Sequence, residues 1–417
     1  MAAWNDATEA AVRAAVPRVV AAVLRRSGDF AAAEDAVQEA LLAATTVWQQ
    51  RGVPANVGGW LFAAACRRLQ DRSDAETARR RREQDLAAVR ATAAEPDFDD
   101  LTAGDDTLRL LFLCCHPALT PPSAIALTLR AVAGLTTAAI ARALLSTEAT
   151  MAQRISRAKE TIAGSGQGLS LPDAAAREQR LAAVLHVLYL MFNEGHTATA
   201  GDQLARRDLC REAIRLCRLL AELLPGEPEV LGLQALLLLT DARAAARSGP
   251  AGELVPLAEQ DRSRWDRDAI RNGEALVTAA FRSGRIGSYQ LQAAIAALHA
   301  EAPSVAATDW PQILQLYDLL LRIADNPVVA LNRAVALAMV HGSAAGLLAV
   351  DEVAAGGRLG EHFRLAAVRA HLQEMAGDGA AALVSFRAAA AGAENQAERS
   401  YLLRQVARLE DSGRPGS

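Results

Sequence analysis

Residues 123–162 read SAIALTLRAVAGLTTAAIARALLSTEATMAQRISRAKETI, and their spacing predicts three helices joined by tight turns. The first helix, over 123–132, stops near Gly134 because glycine tolerates the backbone angles that end a helix. Thr136 or Thr137 can cap a second, short helix, since a threonine oxygen accepts hydrogen bonds from the free N–H groups at a helix start. The segment therefore predicts a small helical unit.

The third helix of this segment has one apolar and one polar face. Its apolar stripe follows helical spacing and consists of Met151, Ile155, Ala158 and Ile162. Its polar face carries Thr147, Thr150, Gln153, Arg154, Arg157 and Lys159. Hydroxyl, amide and cationic groups of this kind bind phosphates and base edges. Two helices joined by a tight turn predict a DNA-reading helix-turn-helix, and the alternative is a three-helix bundle with a solvated basic face.

The composition of the whole chain favours helices. Of its 417 residues 51% are hydrophobic but only 4% are aromatic, which fits helices packed through small side chains better than large sheets. Alanine, the best helix former, is abundant. A chain of this length exceeds one compact core. We therefore expect an all-α protein with two or three domains.

The five cysteines give no sign of a metal site. They show neither a CxxC pair nor the ligand spacing of a zinc site. Two neighbouring thiols on one helix cannot easily point at one ion, which argues against a metal on Cys114, Cys115 and His116. We expect buried thiols, no metal and no cofactor.

Membrane and export signals are also missing from the sequence. The first residues, MAAWNDATEAAVRAAV, include acids and lack the apolar stretch of a signal peptide. No run approaches 18 uncharged apolar residues, the length needed to cross a bilayer. We expect a cytoplasmic protein without a membrane partner.

Breaks in composition predict three helical blocks separated by two linkers. The first block, 1–92, ends in a dense run of charges, and an acidic linker with a proline and a glycine follows at 93–106. The helix-turn-helix occupies 107–163. A glycine-rich linker at 164–177 then leads to 178–411, a long array of helices separated by turns.

The first block contains a second informative stretch, 27–69, which reads SGDFAAAEDAVQEALLAATTVWQQRGVPANVGGWLFAAACRRL. Asp29 begins a helix that runs through about Trp48. Its apolar stripe is Val37, Leu41, Ala44 and Trp48. Its exposed side carries Glu34, Asp35, Gln38 and Glu39. A loop then leads to Trp60 and an arginine-bearing helix.

This stretch resembles region 2 of the extracytoplasmic-function (ECF) sigma factors of bacterial RNA polymerase, through the pattern AEDAVQEALLAA…W…G.P.N.GGWL. The segment 107–163, with EATMAQRISRAK, resembles region 4 of the same family. Later stretches resemble the subgroup with a fused tetratricopeptide-like C-terminal extension: LVPLAEQDRSRWDRDAI, IGSYQLQAAIAALHAEA, TDWPQILQLYDLL and NPVVALNRAVA. The resemblance covers nearly the whole chain.

The resemblance implies three sets of contact residues and no covalent chemistry. The clamp helices of the largest catalytic subunit of core RNA polymerase would be bound by Asp35, Gln38 and Glu39. The −10 element of promoter DNA would be met by Trp60, Arg67, Arg68 and Arg72. The −35 element would be contacted by the polar face of the third helix named above. Single-stranded bases need stacking and cationic groups, whereas a duplex is read by a helix in its groove.

Three departures from the family pattern concern these promoter contacts. The family commonly has Ala-Arg-Asn-Arg where this chain has ACRR at 65–68. Ser73-Asp74 replaces an apolar and basic continuation. Ala152 stands where many members carry a base.

The array at 178–411 contains a 34-residue stretch, 362–395, that reads as helix, glycine turn and helix. Phe386, Ala390 and the small residues around them suit a tetratricopeptide unit. Stacked helix pairs make concave surfaces that bind peptides or other proteins. We expect a tetratricopeptide-like regulatory domain, with an intramolecular contact to the sigma-like blocks as one way of acting.

Two other function classes remain open on the residues alone. A one-component regulator would bind duplex DNA without polymerase and sense a ligand through its array, but this leaves the pattern at 27–69 unexplained. An enzyme or scaffold built on the array leaves both N-terminal motifs unexplained. Because the sequence offers no nucleophile–base set and no metal cluster, we expect that the protein is not an enzyme.

Overall fold

The computed structural model describes residues 6–81, 103–144, 146–166, 174–196, 207–249, 253–359 and 362–412. Within these ranges the regular structure is helical, apart from an isolated bridge between Ser248 and Leu254. The all-α prediction is confirmed. The chain divides into two compact units, Met1–Leu190 (unit 1) and Met191–Ser417 (unit 2).

Unit 1 is built from helices of very different length. They are α1 (Asp6–Ser27), α2 (Phe30–Arg51), α3 (Val57–Arg81), α4 (Ala103–Cys114), α5 (Pro121–Ala131), α6 (Thr137–Ala143), α7 (Glu148–Gly164) and α8 (Ala174–His196), the last of which continues into unit 2. Helices α1, α2 and α3 pack on one another, and α5, α6 and α7 form a second group. Contacts of α1 with α4 and of α2 with α7 join the two groups.

Polar caps begin three helices of unit 1, and those of α2 and α6 lie where the sequence predicts them. The Oδ1 atom of Asp29 accepts hydrogen bonds from the N–H groups of the first turn of α2, at 2.8 and 3.1 Å. Thr136 caps α6 and Thr147 caps α7 in the same way, at 3.2 and 3.1 Å. Each cap satisfies N–H groups that have no partner inside the helix. Of the two threonines considered for α6, the structure selects Thr136.

The predicted apolar stripes form the cores of unit 1. On α7 the buried apolar residues are Met151, Ile155, Ala158 and Ile162. On α2 the predicted stripe of Val37, Leu41, Ala44 and Trp48 is buried as well. Gly134 has φ +71, and a Cβ there would lie 3.1 Å from Val16 of α1. Glycine thus both ends the turn after α5 and lets it approach α1.

Two helices begin inside segments predicted as linkers. Helix α4 begins at Ala103, within 93–106, and α8 begins at Ala174, within 164–177. Acidic residues are favourable in the first turn of a helix, because they face its positive end, and Asp106 lies there in α4. Three alanines start α8. The earlier part of the first linker, 93–102, lies outside the described residues.

Unit 2 is an array of helices that pack in chain order. They are α9 (Arg207–Leu223), α10 (Pro228–Asp241), α11 (Arg267–Phe281), α12 (Ser288–Glu301), α13 (Trp310–Ile323), α14 (Pro327–His341), α15 (Ser343–Ala355), α16 (Phe363–Met375), α17 (Gly379–Gly392) and α18 (Gln396–Ser412). Each helix from α10 onward contacts the next. The 34-residue stretch predicted as helix, turn and helix contains α16 and α17, with Phe386 and Ala390 buried between their neighbours.

Small residues bring the helices of unit 2 close together. A Cβ on Gly232 of α10 would lie 2.6 Å from the backbone nitrogen of Gln290 on α12. A Cβ on Gly346 of α15 would lie 2.5 Å from Cβ of Ala338 on α14. This close packing through small residues fits the low aromatic content of the sequence.

The segment around Trp265 connects α10 to α11 through short turns. Residues Leu257–Glu259 and Arg262–Arg264 form short 3-10 turns, and Asp266 caps α11. Trp265 is buried, and the Arg262 guanidinium lies 4.5 Å from the centre of its ring. The tryptophan therefore anchors a connection between α10 and α11. Within the described residues, no helix has the length and apolar character needed to cross a bilayer.

Candidate nucleic-acid interface

The outward face of α7 carries most of the residues predicted to contact DNA. Thr147, Thr150, Gln153 and Arg157 are exposed, and Arg154 is half-buried. The hydroxyl of Thr147 donates to that of Thr150 at 2.8 Å, which holds both at the start of the helix. The N-terminus of a helix attracts anions through its free N–H groups and its dipole. This face is therefore suited to a phosphate backbone and to base edges.

Lys159 does not lie on that face, which corrects the prediction from the sequence. It is 8% exposed, and its Nζ contacts Oε2 of Glu34 and, at 2.6 Å, Oδ1 of Asp35. The reason is its register: Lys159 follows Ile155 by four residues and precedes Ile162 by three, so it shares their buried side. The positive charge of Lys159 therefore pairs with two carboxylates inside unit 1.

Glu34 is likewise buried, although the sequence predicts it on the exposed side of α2. Its side chain has no solvent exposure, and its Oε1 accepts a hydrogen bond from Nε of Arg130 on α5 at 2.7 Å. Lys159 of α7 contacts its other oxygen. We call Glu34, Asp35, Arg130 and Lys159 the Glu34 cluster. It joins α2, α5 and α7 through charge-assisted hydrogen bonds.

The three residues predicted to bind polymerase have different surroundings on α2. Gln38 is 4% exposed, and its Nε2 donates to the backbone oxygen of Arg130 at 3.2 Å. Asp35 is partly exposed but engaged by Lys159. Glu39 is 38% exposed and lies 3.9 Å from Arg68 of α3. Part of the predicted docking face is therefore covered by α5 and α7 in this structure.

The residues predicted to meet the −10 element lie on α3. Arg67 and Arg68 are exposed. Trp60 is half-buried and packs edge-on against Trp48 of α2, with ring centres 5.2 Å apart and an angle of 67°. Arg72 belongs to α3, but its side chain lies outside the described part of the structure. Among the described side chains of this set, Arg67 and Arg68 present exposed cationic groups, and Arg68 lies near Glu39.

Four of the five thiols are buried, as predicted. Cys114, Cys115, Cys210 and Cys217 are buried and Cys66 is half-buried. Burial raises the pKa of Cys115 to about 12, with a smaller opposing effect from its contact with Thr128. Among the residues that the structure describes, no group of His, Cys, Asp and Glu side chains is arranged to hold a metal ion.

Comparison with known proteins adds three findings to this geometry. Residues 109–162 match Sigma-70, region 4, and residues 180–281 match a family of unknown function, DUF6596. Over 411 residues the chain is 42% identical to the uncharacterized protein R00370 of Rhizobium meliloti (strain 1021), covering 97% of this chain and 96% of that protein. The chain belongs to the family of R00370. No solved structure matches it.

The region 4 match gives α4–α7 a functional setting. It spans the second half of α4, the whole of α5 and α6, and α7 as far as Ile162, including the exposed polar face. The match supports a sigma-factor-like protein with a DNA-binding role in transcription initiation, and with it a general interaction with core RNA polymerase and promoter DNA. The sequence signal for the Glu34 cluster was weak, because its charges come from three distant segments.

Proposed function

We propose that this protein is an ECF-type sigma factor that binds core RNA polymerase and recognises the −35 and −10 promoter elements. The observation that carries the proposal is the region 4 match on a helix-turn-helix whose final helix presents Thr150, Gln153 and Arg157 to solvent. Residues 27–69 of the same unit resemble sigma region 2, which supports the proposal that unit 1 also contains a polymerase-binding segment. A tetratricopeptide-like array in unit 2 would modulate this activity.

Within the proposal, α7 enters the major groove at −35. Gln153 and Arg157 have the donors that read bases or hold phosphates, and both are open to solvent. Arg67 and Arg68 of α3 supply cationic groups for the −10 strand as the duplex opens. Trp60 supports this helix through its packing against Trp48.

The Glu34 cluster implies that the structure represents a closed form of unit 1. Gln38 and Asp35 belong to the proposed docking face, yet α5 and α7 engage both. Polymerase binding through that face therefore requires α2 to separate from α5 and α7. Polymerase would favour the open form by as much as its affinities for the two forms differ.

Two charge-reversal variants on α7 test polymerase binding and DNA binding independently. Lys159→Glu places a third acid beside Glu34 and Asp35 and favours the open form, because like charges repel at this distance. Arg157→Glu makes the same change on the exposed face of the same helix. We expect Lys159→Glu to lower the Kd for bacterial core RNA polymerase, measured by co-elution and titration, and Arg157→Glu to leave it unchanged.

The DNA measurement should give the opposite ranking. Duplexes enriched from a random pool by the wild-type holoenzyme would bind more weakly to the Arg157→Glu holoenzyme, whereas Lys159→Glu would retain them. If neither the wild type nor Lys159→Glu forms a complex with core polymerase, the sigma-factor proposal is wrong.

A second candidate, a one-component regulator, is favoured by one feature of the structure. The face of α7 is open while part of the proposed polymerase-binding face of α2 is covered. Such a protein would select a specific duplex from a random pool without polymerase. Selection with the purified chain alone, at physiological salt, distinguishes it from the sigma factor.

A further inference from the structure

Unit 2 contains a cavity of about 680 Å³ that opens to solvent and lies between α10, the turns before α11, and helices α12, α13 and α14. Pockets that bind small molecules have volumes of roughly 300 to 1,000 Å³ and mostly apolar walls with a few fixed polar groups. The walls of this cavity are largely apolar, with Leu236, Ile295, Leu320, Val335 and Met339 among its lining residues. Its dimensions and walls therefore suit a small molecule with an apolar body.

The charged side chains of the lining are cationic, and its other polar residues are neutral. Arg243 and Arg262 both line the cavity, and the lining contains neither aspartate nor glutamate. Burial, and next the charge of Arg262, lower the pKa of Arg243 to about 10, so that it still carries its proton at neutral pH. The pKa of His299, a third lining residue, falls to about 4 through burial and the charges of both arginines.

The two arginines are held differently. Nη1 of Arg262 donates to the backbone oxygens of His299 and Ala302, at 2.7 and 2.6 Å, and its guanidinium lies over Trp265. Among the described residues, the Arg243 guanidinium has neither an ion pair nor a hydrogen bond to the protein. Arg243 is half-buried. A partly desolvated charge without a partner is unfavourable, and the cost falls when a counter-charge occupies the site.

We propose that this cavity binds a small organic anion, whose acid group lies against Arg243 and Arg262 and whose apolar body occupies the space between α12 and α14. One pair of cations matches one acid group, and the apolar walls exclude a fully hydrated inorganic ion. The shared chemistry is a carboxylate, sulfonate or phosphate ester attached to an aliphatic or aromatic group. The proposal concerns unit 2 alone and does not depend on the sigma-factor assignment.

A matched pair of fluorescent probes tests the need for the acid group. The full chain is titrated with 8-anilinonaphthalene-1-sulfonate and with N-phenyl-1-naphthylamine, which has the same ring system without the sulfonate. We expect saturable binding of the sulfonate at one site, with a Kd at least about tenfold below that of the neutral probe, as expected for one charge-assisted contact. Equal affinities would overturn the proposal.

Substitutions then test whether the sulfonate probe binds in this cavity. Arg243→Gln removes the unpaired charge, and Arg282→Gln removes an exposed charge of α11's C-cap that does not line the cavity. We expect Arg243→Gln to raise the Kd of the sulfonate probe about tenfold or more while sparing the neutral probe, and Arg282→Gln to change neither. Equal effects of the two substitutions would contradict the assignment.

A second variant keeps the test decisive if Arg243→Gln disturbs folding, as judged by circular dichroism. Met339→Trp fills the cavity from α14, and Leu348→Trp adds the same bulk to an exposed position of α15 outside it. We expect Met339→Trp, but not Leu348→Trp, to weaken binding of the sulfonate probe. Decanoate should displace the probe, whereas decanol and inorganic phosphate at equal concentration should not. Displacement by inorganic phosphate would rule out the need for an apolar body.

Discussion

At the scale of single residues, buried charges determine how unit 1 holds together. Glu34 has no solvent exposure and faces two cations, Arg130 and Lys159. Removing one partner of a buried charged group costs more than the pair contributes, because the remaining charges stay desolvated. A conservative change that removes the negative charge of Glu34 should therefore have a large effect on the stability of unit 1.

We expect Glu34→Gln to lower the free energy of unfolding of unit 1 by roughly 3 kcal/mol, since it leaves Arg130 and Lys159 without their shared counter-charge. The measurement is urea denaturation followed by circular dichroism. Glu160→Gln, an exposed change on α7, is the control and should stay within about 0.5 kcal/mol of the wild type. A loss in Glu34→Gln no larger than in this control would show that the cluster does not stabilise the contact.

His299 makes the stability of unit 2 depend on pH. An unfolded histidine titrates near 6.5, whereas the folded pKa is about 4, because of burial first and then Arg243 and Arg262. Between these values the unfolded chain binds a proton that the folded one does not. Stability present at pH 7 is therefore lost as the pH falls from about 6.5 to about 4.

The loss from His299 alone amounts to about 2 kcal/mol at pH 5. Burial also lowers the pKa of His196 and His371, so the wild type is compared with His299→Gln, which keeps those two groups. Urea denaturation at pH 7 and pH 5 should show a smaller pH effect in the variant. The same effect in both proteins would contradict the role of His299.

At the scale of elements, the local pattern predicts where helices begin and which face they bury. Asp29 and Thr147 are caps because a short polar side chain precedes an amphipathic run, a rule that needs no tertiary information. Glu34 and Lys159 were misplaced because their partner is 125 residues away in the chain, and no local periodicity records such a pairing. For the same reason, the sequence did not predict that Arg243 and Arg262 line one cavity in unit 2.

Close helix packing in unit 2 depends on glycine at defined positions. We expect Gly232→Ala to lower the free energy of unfolding by about 2 kcal/mol, because the new Cβ would meet the backbone of α12 at 2.6 Å. Gly379→Ala is the matched control, since it lies at the start of α17 with nothing within 4 Å of its Cβ position. Thermal unfolding of both variants measures the difference. A Gly232→Ala protein as stable as this control would mean that α10 and α12 separate without cost.

At the scale of the whole molecule, one side chain reports whether unit 1 is closed. Lys159 is the single lysine of the chain, so an amine-reactive reagent has only this side chain and the terminal amine as targets. In the closed form its side chain is 9% exposed and its amine is held by two carboxylates. Its reactivity therefore measures the separation of α7 from α2 without any added label.

Core RNA polymerase should raise the acylation rate of Lys159 if docking requires unit 1 to open. The reason is that the proposed polymerase-binding surface of α2 is the one that α7 contacts, so that polymerase would select the form in which the amine is free. Mass spectrometry after a short pulse of acetic acid N-hydroxysuccinimide ester gives the rate, with the terminal amine as internal reference. Lys159→Glu has no target, and Arg157→Glu, which leaves the Glu34 cluster intact, is the control. A complex that co-elutes with polymerase while Lys159 stays as protected as in the free chain would show that polymerase binds the closed form, and the docking surface would then have to exclude Gln38.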